Sequence, residues 1–226
     1  MCLLSVPSAH AENAVSYFNR ALSSSTAVNK IKNFSKALEL NPKLSEAYAR
    51  RGVLYYFQEK YDRVIQDFNH YVMLVPNDAE GYRMLGMGYL HKGDYDAAIS
   101  TFTIAMKIDP KSTGAVCYRA EAYRLKGDYE NAIFDAGTSI RMGGEPRMIS
   151  DAFITRAKVY RALGEHQKSL KDIQSALNLD PRTYFYRNIV DYASMEGLQR
   201  AGLIVMVVIA FIFIFNLKLK APQKDE

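Results

Sequence analysis

Residues Ala79 to Ser112 read AEGYRMLGMGYLHKGDYDAAISTFTIAMKIDPKS. Tyr82, Leu85, Gly86 and Tyr89 fall on one helical face, and so do Ala98, Phe102 and Ala105 after them. Gly93 and Asp94 separate the two sets. A glycine ends a helix readily in a left-handed conformation, and an aspartate caps the helix that follows. Pro110 then closes the stretch, because a proline cannot continue a helix. These residues predict two helices joined by a tight turn, each with one apolar face.

The pattern repeats at an interval of 34 residues. Pro42, Pro76 and Pro110 keep that spacing, and each ends an aliphatic run: ALELNP, YVMLVP, AMKIDP. A fourth copy, ALNLDP, ends at Pro181. Gly52 and Gly86 are 34 apart, as are Tyr55, Tyr89 and Tyr123, and Phe68 and Phe102. The chain divides into units 11–44, 45–78, 79–112, 113–146 and 150–183, with Arg147 to Ile149 inserted before the last. The first unit is clear only in Phe34, Ala37 and Pro42. The second carries Tyr48, Gly52, Tyr55, Val64 and Phe68, with Arg51 and Tyr71 as departures. The fourth keeps Tyr123 and Ala132, departs at Ala120, Ala136 and Ser139, and ends in GGEP. The fifth supplies Phe153, Ala157, Tyr160 and Ala176. Large rings (Tyr48, Tyr82, Phe153) are expected over small residues (Gly52, Gly86, Ala120, Ala157) that let the second helix approach. Gly93, Gly127 and Gly164 are expected to end first helices, with Asp94 and Asp128 capping two second helices. One helix pair cannot bury its apolar face alone, so the units must stack.

This pattern resembles the tetratricopeptide repeat (TPR), W-x2-L-G-x2-Y followed by A, F, A and P, over ~170 residues. The resemblance implies an all-α solenoid wound as a right-handed superhelix. It also implies that the first helices line a concave groove that binds proteins or peptides. The groove positions on this chain are Tyr56, Arg83, Met87, Leu90, Glu121, Arg124, Lys158 and Arg161, with Ala49, Val53, Cys117 and Ile154 between them. Tyr56, Met87 and Leu90 make one half apolar; Arg124, Lys158 and Arg161 make the other basic. Such a surface suits a peptide with an apolar stretch and an acidic end. The Lys/Asn clamp of co-chaperone TPR domains is missing as a set: Met87 follows Arg83, Val53 follows Ala49 and Ala162 follows Lys158.

Composition narrows the rest. The chain has 226 residues, 49% of them hydrophobic, which excludes wholesale disorder. Lys+Arg 29 against Asp+Glu 24 leaves a spread charge of +5, which does not point to nucleic acid. Cys2 and Cys117 are too few for a disulfide framework or a multi-cysteine metal site. His10, His70, His91 and His166 are isolated, and no nucleophile elbow or phosphate loop occurs. No cofactor, metal, small-molecule substrate or enzymatic activity is expected.

The ends suggest where the array resides. Tyr184 to Arg200 fits a capping helix, with Phe185, Ile189 and Tyr192 on one face. Ala201 to Leu217 is a 17-residue uncharged run, AGLIVMVVIAFIFIFNL. Transmembrane helices begin at ~17 residues, and Lys218 and Lys220 can snorkel to headgroups. Residues 201–217 are therefore expected to contact a lipid bilayer as a single span, followed by a short basic tail, 218–226. Three lysines after the span against Arg187 and Arg200 before it favour a cytoplasmic C-terminus. At the other end, residues 1–11 include Ala9-His10-Ala11, the small-x-small form of a signal-peptidase site, without a basic n-region. Either this is a truncated signal peptide and the array is extracytoplasmic, as in a bacterial periplasm, or the array is a cytosol-facing, tail-anchored adaptor or co-chaperone. The expected function is a membrane-anchored scaffold for assembly of an envelope complex. A regulatory subunit of a membrane enzyme complex is a further alternative.

Overall fold

The computed structural model describes residues 13–180, and side-chain caps set many of its helix boundaries. The Asn13 carboxamide accepts from the Ser16 N–H at 2.9 Å to open α1 (Ala14–Ser23), and Thr26 accepts from the Asn29 N–H to open α2 (Ala27–Leu40). Then follow α3 (Ser45–Phe57), α4 (Tyr61–Leu74), α5 (Ala79–Lys92), α6 (Tyr95–Ile108), α7 (Thr113–Lys126), α8 (Tyr129–Met142), α9 (Pro146–Ala162) and α10 (His166–Leu179). Asp94 and Asp128 cap α6 and α8 as expected. Gly93 (φ 88°) and Gly127 (φ 87°) close α5 and α7 in the left-handed region. Each helix packs on its neighbours in sequence, so the ten helices form five stacked pairs. Among the described residues there is no strand.

Small residues set the spacing inside each pair. A Cβ at Gly52 would lie 2.7 Å from Phe68 Cε2, and one at Gly86 would lie 2.6 Å from Phe102 Cε1. Ala120 and Ala157 hold the corresponding buried positions in the fourth and fifth units. Tyr55, Tyr89, Tyr123 and Tyr160, one turn further on, are half-buried. Pro42, Pro76 and Pro110 lie in the turns after α2, α4 and α6; Pro181 lies outside the described residues. The insertion Arg147 to Ile149 is helical. It lengthens α9 to 17 residues, with Pro146 in the first turn, where its missing N–H costs nothing. The extended helix leans on α7: the Cys117 thiol meets the Met148 carbonyl at 3.5 Å.

The departures from the motif prove to be organised. The position held by Leu85 in the third unit is Arg51, Arg119 and Arg156 in the second, fourth and fifth. Each arginine makes a two-pronged ion pair with the aspartate 16 residues later, on the second helix of its own unit. Arg51 donates to Asp67 (2.9 and 2.6 Å), Arg119 to Asp135 (2.7 and 2.9 Å), and Arg156 to Asp172 (2.7 and 2.8 Å). All three aspartates are buried. Arg51 and Arg119 also reach back one unit, to Ser35 Oγ (2.9 Å) and Thr103 Oγ1 (3.0 Å). The guanidiniums lie beside rings as well, Arg51 against Tyr48 and Tyr55, and Arg156 against Phe153 and Tyr160. Burial raises the Asp67 carboxyl above its ordinary value. The Arg51 hydrogen bond and charge lower it again without cancelling the cost of desolvation.

Among the described residues no helix is long and apolar enough to cross a membrane. The signal-like residues 1–11, the capping segment 184–200, the apolar run 201–217 and the tail 218–226 lie outside the described residues.

Candidate functional site

An open groove of about 530 Å³ lies between the first helices α1, α3 and α5, with residues of α2 and α4 completing its lining. Its apolar wall is Leu22, Phe34, Ala49, Val53, Leu54 and Met84. Its polar rim is Lys30, Glu46, Arg50, Asp78 and Glu80. Rim charges are paired along their own helices: Arg50 with Glu46 at 2.7 Å, and Arg83 with Glu80. Residues of opposite charge three or four apart meet on one helix face, so the rim presents little net charge to an occupant.

One wall of the groove depends on two coupled departures from the repeat. Tyr71 stands where the motif expects alanine, and its ring lies where a side chain at position 81 would be. A Cβ on Gly81 would sit 2.5 Å from Tyr71 Cε1. The large residue on α4 is thus matched by a missing one on α5. The Tyr71 hydroxyl donates to Asp78 Oδ2 at 2.7 Å. Asp78 in turn accepts from the Glu80 and Gly81 N–H groups and opens α5. Burial and this bond to Asp78 push the Tyr71 phenol up to about 12, so it stays protonated and keeps donating at neutral pH.

The structure distributes the groove residues expected from sequence in three ways. Ala49 and Val53 line the groove. Met87 and Leu90 are each only 6% exposed and pack in the core with Phe102 and Ala122, so they offer almost no surface. Tyr56 closes a separate ring cluster, its hydroxyl 2.9 Å from His91 Nε2 and its edge against Tyr61. Arg83 donates to both Glu80 oxygens and to the Met87 sulfur, and lies 5.7 Å from the Tyr118 ring. Arg124 is held by two 2.8 Å bonds to Glu121, which also accepts from Thr155 Oγ1. Much of the positive charge expected on the second half of the groove is therefore committed to neighbouring carboxylates. Lys158 is half-buried and Arg161 exposed on α9. Leu22 was not anticipated, because the first unit's motif is degenerate in its first helix; Phe34 was legible as a repeat residue of α2 but not as part of the groove, and Leu54 of α3 was not singled out. The paired departures Tyr71 and Gly81 were the signal that could have located that wall. Among the described residues no cluster of His, Cys, Asp or Glu could hold a metal ion.

Residues 79–112 and 150–183 each match a tetratricopeptide-repeat family model. The chain carries TPR repeats. Solved structures extend the likeness to the whole array. A crystal structure of MamA is 20% identical with a TM-score of 0.65, over 77% of this chain and 95% of that one. YrrB, described as a TPR protein with an unusual peptide-binding site, is 21% identical with a TM-score of 0.59, over 75% and 87% of the two chains. TTC0263, a thermophilic TPR protein of Thermus thermophilus, is 21% identical with a TM-score of 0.59, over 74% and 89%. At these identities the likeness is one of fold, a solenoid of TPR helix pairs. No curated protein sequence matches the chain.

Proposed function

We propose that this TPR protein is a membrane-anchored scaffold that holds an apolar segment of a partner protein between α1, α3 and α5. The observation that carries the reading is the open groove itself, with its apolar wall and self-paired rim. Apolar side chains left open to water in a concave site gain free energy when a partner covers them, and a neutral rim neither repels nor selects by charge. The peptide therefore enters by its apolar side chains, and Arg124, Lys158 and Arg161 act on its acidic far end. The anchor is residues 201–217, on the strength of their uncharged sequence. The array lies outside the cytosol and serves assembly of an envelope complex, supported by the Ala9-His10-Ala11 pattern and the lysines after residue 217.

A photo-crosslinking side chain at Val53 tests the groove in the native host. It is expected to capture a partner that the same group at exposed Phe134 on α8 does not, and Leu22→Asp, at an exposed position of the groove, is expected to abolish capture while the fold persists. Equal capture at Val53 and Phe134 would remove the groove reading. Protease added to sealed, right-side-out vesicles tests the topology: digestion of the array with a spared tail supports the extracytoplasmic placement, and a protected array supports the cytosol-facing adaptor.

A further inference from the structure

Charge is spread unevenly over the array. Residues 13–44 carry Arg20, Lys30, Lys32, Lys36 and Lys43 against Glu39 alone, whereas each of the next three units has at least as many acids as bases. Part of this charge gathers at a second concavity, of about 440 Å³, between α1 and α2. Arg20, Lys32 and Lys36 line it together with Ser24, Asn29 and Asn33, and among the described residues no acid does. The repeat register explains the pocket. Tyr17 and Asn33 stand where the second unit has Arg51 and Asp67, so no guanidinium–carboxylate pair fills the space between the two helices. Arg51 reaches from that place to Ser35 of the unit before, so the pocket of the first unit opens away from the second. Arg20 is exposed where later units use Leu54, Gly88 and Ala122 to meet the unit before them. A seat for another helix pair would not place a charge there.

Helix α1 is the ridge between this pocket and the groove. Ala21 and Leu22 line the groove, and Arg20 and Ser24 line the pocket. On α2, Lys30 and Phe34 line the groove, and Lys32, Asn33 and Lys36 line the pocket. A chain that crosses α5, α3 and α1 in the groove therefore meets the pocket as it leaves. The cations there are open to an incoming acid. Neither Lys30 nor Lys32 has a carboxylate partner among the described residues. Lys36 holds Glu39 at 2.7 Å, but both side chains are exposed, and such a pair contributes little and exchanges readily. Ser24, Asn29 and Asn33 supply neutral donors beside the charges. We infer that this pocket binds the carboxylates of an acidic stretch adjoining the apolar segment held in the groove. That stretch is read beyond the self-paired rim, at the end opposite Arg124, Lys158 and Arg161. Occupancy of the pocket rests on the groove reading, to which it adds the chemistry of the partner's near flank.

A random peptide library panned on the full-length, detergent-solubilised chain tests groove and pocket separately. The parent is expected to select an apolar run with Asp and Glu beside it. Lys32→Glu with Lys36→Glu, at two exposed positions, is expected to keep the apolar run and to exchange the acids of one flank for Lys and Arg. Leu22→Asp is expected to lose the apolar run itself. Circular dichroism equal to the parent's shows that each variant is folded. Flanks unchanged by the charge reversal, or apolar runs with no acids beside them, would overturn the inference and leave the groove reading standing. No apolar enrichment on the parent would remove both. A synthetic peptide of the selected sequence adds a second measurement. Replacing its acids by Asn and Gln is expected to weaken binding to the parent severalfold at low salt and by less at high salt. Equal affinity of the two peptides for the parent at low salt would also overturn the inference.

Discussion

The third unit and its neighbours hold two helices together by different means. In the third, the corresponding positions of α5 and α6 are the buried Leu85 and Thr101, and Leu85 packs with Val64, Phe68 and Val72 of the unit before. In the second, fourth and fifth, the same positions hold an arginine and a buried aspartate. An aliphatic contact is indifferent to orientation, whereas a two-pronged guanidinium–carboxylate pair accepts one geometry. The pairs therefore fix register between the helices, and through Ser35 and Thr103 between adjacent units, at a desolvation cost that the third unit avoids. Among the second to fifth units, the one closest to the family pattern is the one without a buried charge.

That contrast predicts a large asymmetry. Asp135→Ala leaves Arg119 without its carboxylate in a mostly dry site and is expected to cost ~3–5 kcal/mol. Replacing both partners with the third unit's own residues, Arg119→Leu with Asp135→Thr, is expected to be near neutral, because no unpaired charge remains. Urea unfolding of the three proteins measures this directly. A double variant as damaged as the single one would mean that the pair itself, and not its rupture, sets the stability. The reverse graft, Leu85→Arg with Thr101→Asp, would then be the informative fourth protein.

The next effect in size concerns what the units share. Gly86→Leu forces a side chain into Phe102 and is expected to cost ~1–3 kcal/mol or more, whatever fills the Leu85 position beside it. A melting temperature unchanged from the parent would contradict the close approach at Gly86.

These two effects also mark what the sequence could and could not convey. The glycines, tyrosines and prolines were legible because each does a local job that recurs every 34 residues: a close approach, a left-handed cap, a stop. The insertion before the fifth unit was legible as an insertion, but its fate as an extra turn of α9 depended on packing against α7. Arg51 was visible only as a departure, since its meaning lies on another helix, in Asp67. A spacing of 16 matches no helical face, and the pattern is absent from the best-conforming unit. Met87 and Leu90 illustrate the same limit in the groove. Their periodicity places them on a first helix, but only the packing around Phe102 and Ala122 shows that they are buried.

A smaller difference between units sits at the turn that ends each first helix. Gly93 and Gly127 take the left-handed conformation freely, but the second unit places Glu59 there at φ 57°. A side chain in this region is strained by roughly 1–2 kcal/mol. Glu59→Gly is therefore expected to raise stability by about 1 kcal/mol after the added freedom of the unfolded chain is subtracted. A loss of stability in thermal unfolding would show that the Glu59 side chain does more than tolerate its backbone.

The smallest expected effect returns to the arginines. Arg51 and Arg119 each find a hydroxyl on the preceding unit, Ser35 and Thr103; at the corresponding place before Arg156 stands Gly137. A Cβ there would lie 3.6 Å from Arg156 Nη1, with the far end of the Arg141 side chain at 3.3 Å as its nearest neighbour. Gly137→Ser restores the acceptor and removes a glycine from the interior of α8. It is expected to stabilise the junction between the fourth and fifth units by roughly 0.3–0.5 kcal/mol from helix propensity alone, less than alanine would, with any hydrogen bond to Arg156 in addition. Gly137→Ala separates the two contributions, since it gains the larger propensity but not the bond. Serine as stabilising as alanine, or more so, would show that the arginine's reach to the unit before it contributes in its own right. A serine variant less stable than the alanine variant by about the 0.5 kcal/mol that separates their helix propensities would confine the role of Arg156 to its aspartate.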